Sequence, residues 1–326
     1  MDRLFSVSPA PHVRAKDSTA LLMLDVITAL MPCAVAGVWL FGWEAARVLL
    51  ISVACCVASE YGYQKIAKKP LRINNLSAVV TGLILGLSLP STAPWWMILI
   101  GALVAIVLVK ELFGGIGDNF VNPAMAARAV LLASWPAYMA AAAYVTPFDA
   151  VSVATPLADT GAPAYSMLDM FIGRMPGSIG EVCKLGILIG LAYLLIRKTI
   201  SWHIPVAMLG SFALFTLLLG GDPVNGLLTG SVLFGAVFMA TDYTTSPMTG
   251  AGKLIYAAGA GLIIALIRAF GSYPEGTTYG ILLMNIATPL IDRATKLRVY
   301  GQEKAEKKPR PEQTTPTQGA AKEGNA

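Results

Sequence analysis

Charge is scarce in this chain. Asp, Glu, Lys and Arg make up 13% of its 326 residues, against about 25% in an ordinary soluble domain. Histidine is scarcer still. His12 and His203 are the only two, too few for a zinc or haem site built by this chain alone. The four cysteines, Cys33, Cys55, Cys56 and Cys183, form no C-x-x-C pair and have no histidine nearby in sequence. They read as small apolar packing residues, not as a cluster or disulfide framework. No G-x-G-x-x-G fingerprint opens a βαβ unit, so a dinucleotide site is not expected. The N-terminal segment, Met1 to Ser18, carries Arg3, Arg14 and Lys16 but no small-residue cleavage site, and reads as a cytoplasmic leader.

What is abundant is apolar surface. Hydrophobic residues make up 56% of the chain and the mean hydropathy is +0.64, which excludes a water-soluble enzyme. The pattern predicts an all-α polytopic membrane protein with ten spans, at 19–40, 44–63, 75–90, 94–112, 122–142, 179–197, 203–220, 223–241, 251–270 and 277–292. Several are short for a bilayer, which needs about 20 residues. The third holds Gly82 and Gly86, and the tenth holds Pro289. Broken spans bury their free backbone in protein, often beside a binding site near the midplane.

The net charge of +5 reflects topology, and nucleic acid is not expected as a partner. With a cytoplasmic N-terminus and alternating spans, all basic residues except Arg47, Arg174, Lys184 and Arg268 fall on the cytoplasmic side. Lys110 and Arg128 are among those counted there. The longest loop, about 143–178, is then extracytoplasmic, with Asp149, Asp159 and Asp169. The polar tail at 300–326 is expected to be cytoplasmic and disordered.

Internal similarity divides the spans. Leu76 to Pro94 matches Val224 to Pro247, with Thr81-Gly82 aligned to Thr229-Gly230. Asn122-Pro123 and Thr288-Pro289 form a weaker pair two spans later. Five spans is an odd number, so the copies at 19–142 and 179–299 insert oppositely, as an inverted 5+5 repeat of urea-transporter-like architecture. Transporters and redox subunits share such architecture, so it does not choose a function.

Polar residues within apolar spans are candidates for function. Asn74 and Asn75 precede the third span as helix caps or site residues. Asp118, Asn119 and Asn122 precede Pro123, an ordinary helix start whose positive end also suits an anion or an electron-rich ring. Asp25 and Glu60 are open between ion pairing across the bundle and lining an ion path. Asp242 to Thr245 are either a broken-helix lining or a plain loop. Asp149 to Leu157, DAVSVATPL, is by composition a surface loop with a turn at Pro156.

Four stretches change the weight of that loop: SVSPAPH at Ser6–His12, KKPLRINNLSAVVTGLILGLSLP, GGIGDNFVNPAMAARA and DAVSVATPL. Over nearly the whole chain it resembles the D subunits of Rnf ion-translocating ferredoxin–NAD oxidoreductases and the homologous B subunits of sodium-pumping NADH–quinone reductases. In that family the motif Asp-x-x-Ser/Thr-Gly-Ala-Thr carries FMN on its last threonine through a phosphoester. It aligns here as Asp149, Ser152, Val153, Ala154 and Thr155. Val153 stands where the family has glycine, which stiffens and fills the loop a flavin transferase must admit. The resemblance implies covalent FMN on Thr155, with Asp149, Ser152 and Ala154 in the motif. It also implies a second, non-covalent riboflavin toward the cytoplasmic side. The helix ends at Asn122-Pro123 and near Thr81-Gly82 are expected as walls for the ring of the Thr155-linked FMN. It further implies assembly with the A, B, C, E and G subunits of an Rnf complex, most directly G, A and E, in the cell inner membrane. On this reading the chain relays electrons, coupled to Na+ or H+ movement, and is an enzyme only as part of a translocase. The rival readings are a solute transporter or channel, and a scaffold without flavin.

Overall fold

The computed structural model describes residues 18–139, 166–271 and 275–296, and every regular element among them is helical. The compact unit ends at Thr295. The chain is an α-helical membrane protein. Helices α1 (Thr19–Phe41), α2 (Trp43–Ile66) and α12 (Gly250–Phe270) are each long and apolar enough to cross a bilayer. Ser18 starts α1 by accepting from the Leu21 N–H at 3.3 Å, and Gly42 turns the corner into α2 with φ 67°. Leu21, Leu24, Met31 and Val35 on α1 are exposed, as a lipid-facing surface requires. Trp39 and Trp43 stand exposed at the α1–α2 corner, the position of interfacial aromatic anchors.

The other apolar segments are shorter than a bilayer. They are α3 (Ser77–Leu87), α4 (Trp95–Leu103), α5 (Pro123–Ser134), α8 (Lys184–Ile196), α9 (His203–Leu218) and α13 (Thr277–Ala294), which holds Pro289. Short pieces α6 (Pro136–Met139) and α7 (Met167–Ile172) flank the loop, and α10 (Pro223–Leu228) and α11 (Val232–Phe234) follow α9. Helix α4 continues as a π-helical stretch over Val104–Glu111, and α11 as another over Gly235–Met239. Three expected spans change in detail. The fifth breaks at Trp135, before Pro136. The eighth breaks at Thr229–Ser231. The sixth is helical only from Lys184.

The residues before Lys184 are not a surface loop. Met175, Ser178, Ile179 and Val182 are buried. Their backbone closes the end of α3: Ile179 N–H donates to the Leu89 carbonyl at 3.2 Å, and Gly180 N–H to the Leu87 carbonyl at 2.8 Å. Carbonyls at a helix end have no partner within the helix, and here the returning chain supplies one. Hydropathy alone saw an apolar run; the run is apolar because it is buried, not because it is helical.

Close approach sets the packing of the second half. A β-carbon on Gly261 of α12 would stand 2.5 Å from the Met208 carbonyl oxygen of α9 and 2.0 Å from Ser211 Oγ. Small residues at such crossings let helix backbones meet, which is how membrane helices gain packing energy without a hydrophobic drive. Gly261→Val is expected to force α9 and α12 apart and cost about 1–3 kcal/mol or more. Thermal unfolding of the purified protein in detergent would show it as a lowered midpoint.

Candidate functional site

The break in the eighth span gathers a cluster of charges. Thr229 is extended and Gly230 has φ 66°, a left-handed conformation in which glycine is unstrained. The break frees backbone carbonyls, and the half-buried Arg268 and the buried Lys184 take them. Arg268 Nη1 and Nη2 donate to the Gly226 and Thr229 carbonyls at 2.7 and 3.2 Å. Lys184 Nζ donates to the Gly230 carbonyl at 3.0 Å and to the Glu181 carbonyl. Carboxylates lie beside them: Arg128 pairs with Glu275, and Glu181 stands 4.0 Å from it. Lys184 and Arg128 are almost fully buried, so each needs such partners to remain in the protein.

The sequence count assigned Lys110 and Arg128 to the cytoplasmic side. Each sits in a helical segment, buried and ion-paired: Lys110 with Glu60 at 2.9 Å, Arg128 with Glu275. Burial reached through packing of distant segments is invisible to a count along the chain.

A cavity of about 840 Å³, its open mouth included, lies where α3, the start of α5 and the π-helical turn at 235–239 converge. Its walls include Met23, Val26, Ile84, Leu194, Val237 and Phe238. Its polar groups include Thr81, Asn119, Asn122, Asp242 and Thr244. Apolar walls with a few convergent polar groups suit an amphipathic ligand. Asn122 is the hinge of the site. Its Oδ1 accepts from the N–H groups of Ala124 and Met125 at 3.0 and 3.2 Å, capping α5, while Pro123 fills the first helical position. Its Nδ2 donates to the Met239 carbonyl at 3.1 Å. One carboxamide thus starts one helix and ties down the π-turn of another. Because the cap uses two of the end N–H groups, α5 offers the cavity its dipole more than free donors.

Three of the expected walls, Thr81, Asn122 and Pro123, come together in this cavity. Gly82 does not line it. It packs on α2, where a β-carbon would stand 2.8 Å from Val53 Cα, and its carbonyl accepts from Ser52 Oγ at 2.7 Å. Asp149, Ser152, Ala154 and Thr155 lie outside the described residues. Asn75 caps the start of α3, accepting from Ser77 N and Oγ. Asp25 holds Arg197, Tyr193 and Thr199 across α1 and α8. Asp242 accepts from Thr244 and Thr245 in a turn that lines the cavity. A second, smaller hollow of about 440 Å³ is lined by Glu60, Gln64, Lys69, Arg72 and Glu111 and shares Ile116 with the first. Sequence reasoning used Lys110, Lys184 and Arg268 only for topology. A lone charge inside an apolar run was the signal that could have found them.

The pattern of the NQR2, RnfD, RnfE family matches residues 6–301. The chain is 50% identical to the D subunit of the Na(+)-translocating ferredoxin:NAD(+) oxidoreductase complex of Acetobacterium woodii, over 93% of this chain and 97% of that one. It is 41% identical to the D subunit of the proton-translocating ferredoxin:NAD(+) oxidoreductase complex of Clostridium ljungdahlii, over 91% and 96%. It is 33% identical to the D subunit of the ion-translocating oxidoreductase complex of Citrobacter koseri, over 91% and 99%.

Asn122→Ser keeps an oxygen for the cap but is too short to reach Met239, whereas Asn122→Ala loses both bonds. Losing the cap costs about 0.5–2 kcal/mol, and an unsatisfied buried carbonyl about 1–3 kcal/mol. The expected order of thermal midpoints in detergent is wild type, then Asn122→Ser, then Asn122→Ala. Equal midpoints for the two variants would remove the cap from this account.

Proposed function

Since the chain belongs to the NQR2, RnfD, RnfE family, we propose that it is the membrane D subunit of an ion-translocating ferredoxin:NAD+ oxidoreductase complex in the cell inner membrane. It relays electrons through FMN esterified to Thr155, and through a non-covalent riboflavin in the cavity between α3, α5 and the π-turn. Relatives at 50% and 41% identity carry the complex in their names. The observation that carries the site reading is the cavity itself, which gathers Thr81, Asn122 and Pro123 beneath an apolar wall.

The chain's own groups fit that ligand. Val26, Ile84, Val237 and Phe238 offer apolar contact to a ring system, and Asn119, Thr244 and Asp242 provide polar partners. Asn122 fixes the spacing between the α5 end and the Met239 turn. The threonine hydroxyl of Thr155 is the right nucleophile for a phosphoester, and the covalent bond retains a cofactor that is otherwise soluble. Bound flavin supplies electron transfer one electron at a time. NAD+ and ferredoxin are handled by other members of the complex, and the G, A and E subunits are the direct neighbours. The coupled ion is Na+ or H+; the relatives' names include both. The Thr155 loop faces the extracytoplasmic side, and both termini face the cytoplasm.

Intact mass of this chain from purified complex tests the covalent flavin. The expected value is the chain plus one FMN less one water, with a denatured band that fluoresces under ultraviolet light. Thr155→Ala is expected to abolish both signals. An increment that persists in Thr155→Ala would overturn the assignment.

A further inference from the structure

We propose that Lys110 sets the reduction potential of the cavity's occupant, through a buried pair with Glu60 that separates the cavity from the neighbouring polar hollow. This rests on the reading of the cavity as a flavin site. Lys110 lines the cavity and is 3% exposed. Its Nζ donates to Glu60 Oε1 at 2.9 Å and to Ser77 Oγ at 2.6 Å. An ammonium has three donors, so one remains beyond these two bonds. Among the described residues that line the cavity, Lys110 is the one cation and Asp242 the one carboxylate. The Asp242 carboxylate is held by Thr244 and Thr245.

Glu60 faces the other way. It lines the polar hollow, is 1% exposed, and its Oε2 has no hydrogen-bond partner. Gln64 Nε2 donates both to Glu60 Oε1, at 3.3 Å, and to Glu111 Oε1, at 3.1 Å. Lys69 stands 3.8 Å from Glu111. A line of polar groups thus runs from the hollow through Glu60 to Lys110 at the cavity wall.

The physical consequence is a sign. When a neutral flavin accepts one electron from a one-electron donor of the complex, it gains a negative charge; no bond forms or breaks in that step. A buried ammonium beside it favours the charged form, because Coulomb attraction is weakly screened away from water. Lys110 therefore raises the potential, and Glu60, by opposing Lys110, lowers it.

The test uses the assembled complex, with acid-extractable riboflavin and spectroelectrochemical titration as readouts. Lys110→Met is expected to retain riboflavin but weaken the reduced form about tenfold relative to the oxidised, a fall of about 59 mV for a one-electron couple. Glu60→Gln is expected to shift the same couple upward, and Lys110→Arg to leave it in place. Lys110→Met leaves Glu60 buried without its cation and weakens folding. The double variant Lys110→Met/Glu60→Gln removes both charges and is expected to fold, with a potential between those of the single variants. Riboflavin retained in all variants with an unmoved couple, or both single variants shifting it the same way, overturns the role of Lys110 alone. A wild-type complex that releases no riboflavin overturns the cavity reading and this inference with it.

Discussion

The fold depends on how broken helices are made tolerable inside a membrane. A helix interrupted within an apolar protein frees carbonyls that water cannot reach, each at a cost of several kcal/mol. At the Thr229–Ser231 break those carbonyls are taken by Arg268 and Lys184. At the end of α3 they are taken by the N–H groups of Ile179 and Gly180. At the Met239 turn the donor is Asn122. Each solution recruits a residue from a distant segment. The interruptions therefore bind the chain together instead of weakening it, and they leave room where no continuous helix passes.

That room is the cavity. Its location follows from two short helical elements that stop inside the protein: α5, which begins at Pro123, and the π-turn that ends at Met239. The charges form two separate groups. One joins Glu60, Gln64, Lys110 and Glu111, and the other joins Arg128, Glu181, Lys184, Arg268 and Glu275. Lys110 near the end of the fourth expected span reaches Ser77 in the third, and Arg268 near the end of the ninth reaches Gly226 and Thr229 in the eighth. Thr81 and Thr229, aligned in the internal similarity, each donate to the carbonyl four residues before them.

Much of this was legible in the sequence, for definable reasons. Long apolar runs gave α1, α2 and α12 to within three residues at each end, because hydropathy reports the lipid-facing length directly. Asn122-Pro123 gave the start of α5, because capping chemistry is local. Thr81, Asn122 and Pro123 were legible as residues at broken helix ends, and all three line the cavity. Gly82 does not, because a glycine's value lies in the backbone it lets approach, here that of α2. The apolar stretch before Lys184 misled, because buried irregular backbone and a membrane helix have the same composition. The roles of Lys110, Lys184 and Arg268 needed three-dimensional neighbours. The reading of Asp149 to Thr155 as a flavin-attachment motif rests on resemblance alone: by composition the segment is an ordinary loop.

The gap between the α5 start and the Met239 turn is proposed as a flavin site, not a packing fault. A density map of the purified complex at side-chain resolution decides between them. Planar density of three fused rings is expected between Val237–Phe238 and α3, within hydrogen-bonding reach of Lys110 or Asn119. Lipid-tail density, or side chains collapsed to close the gap, would contradict it.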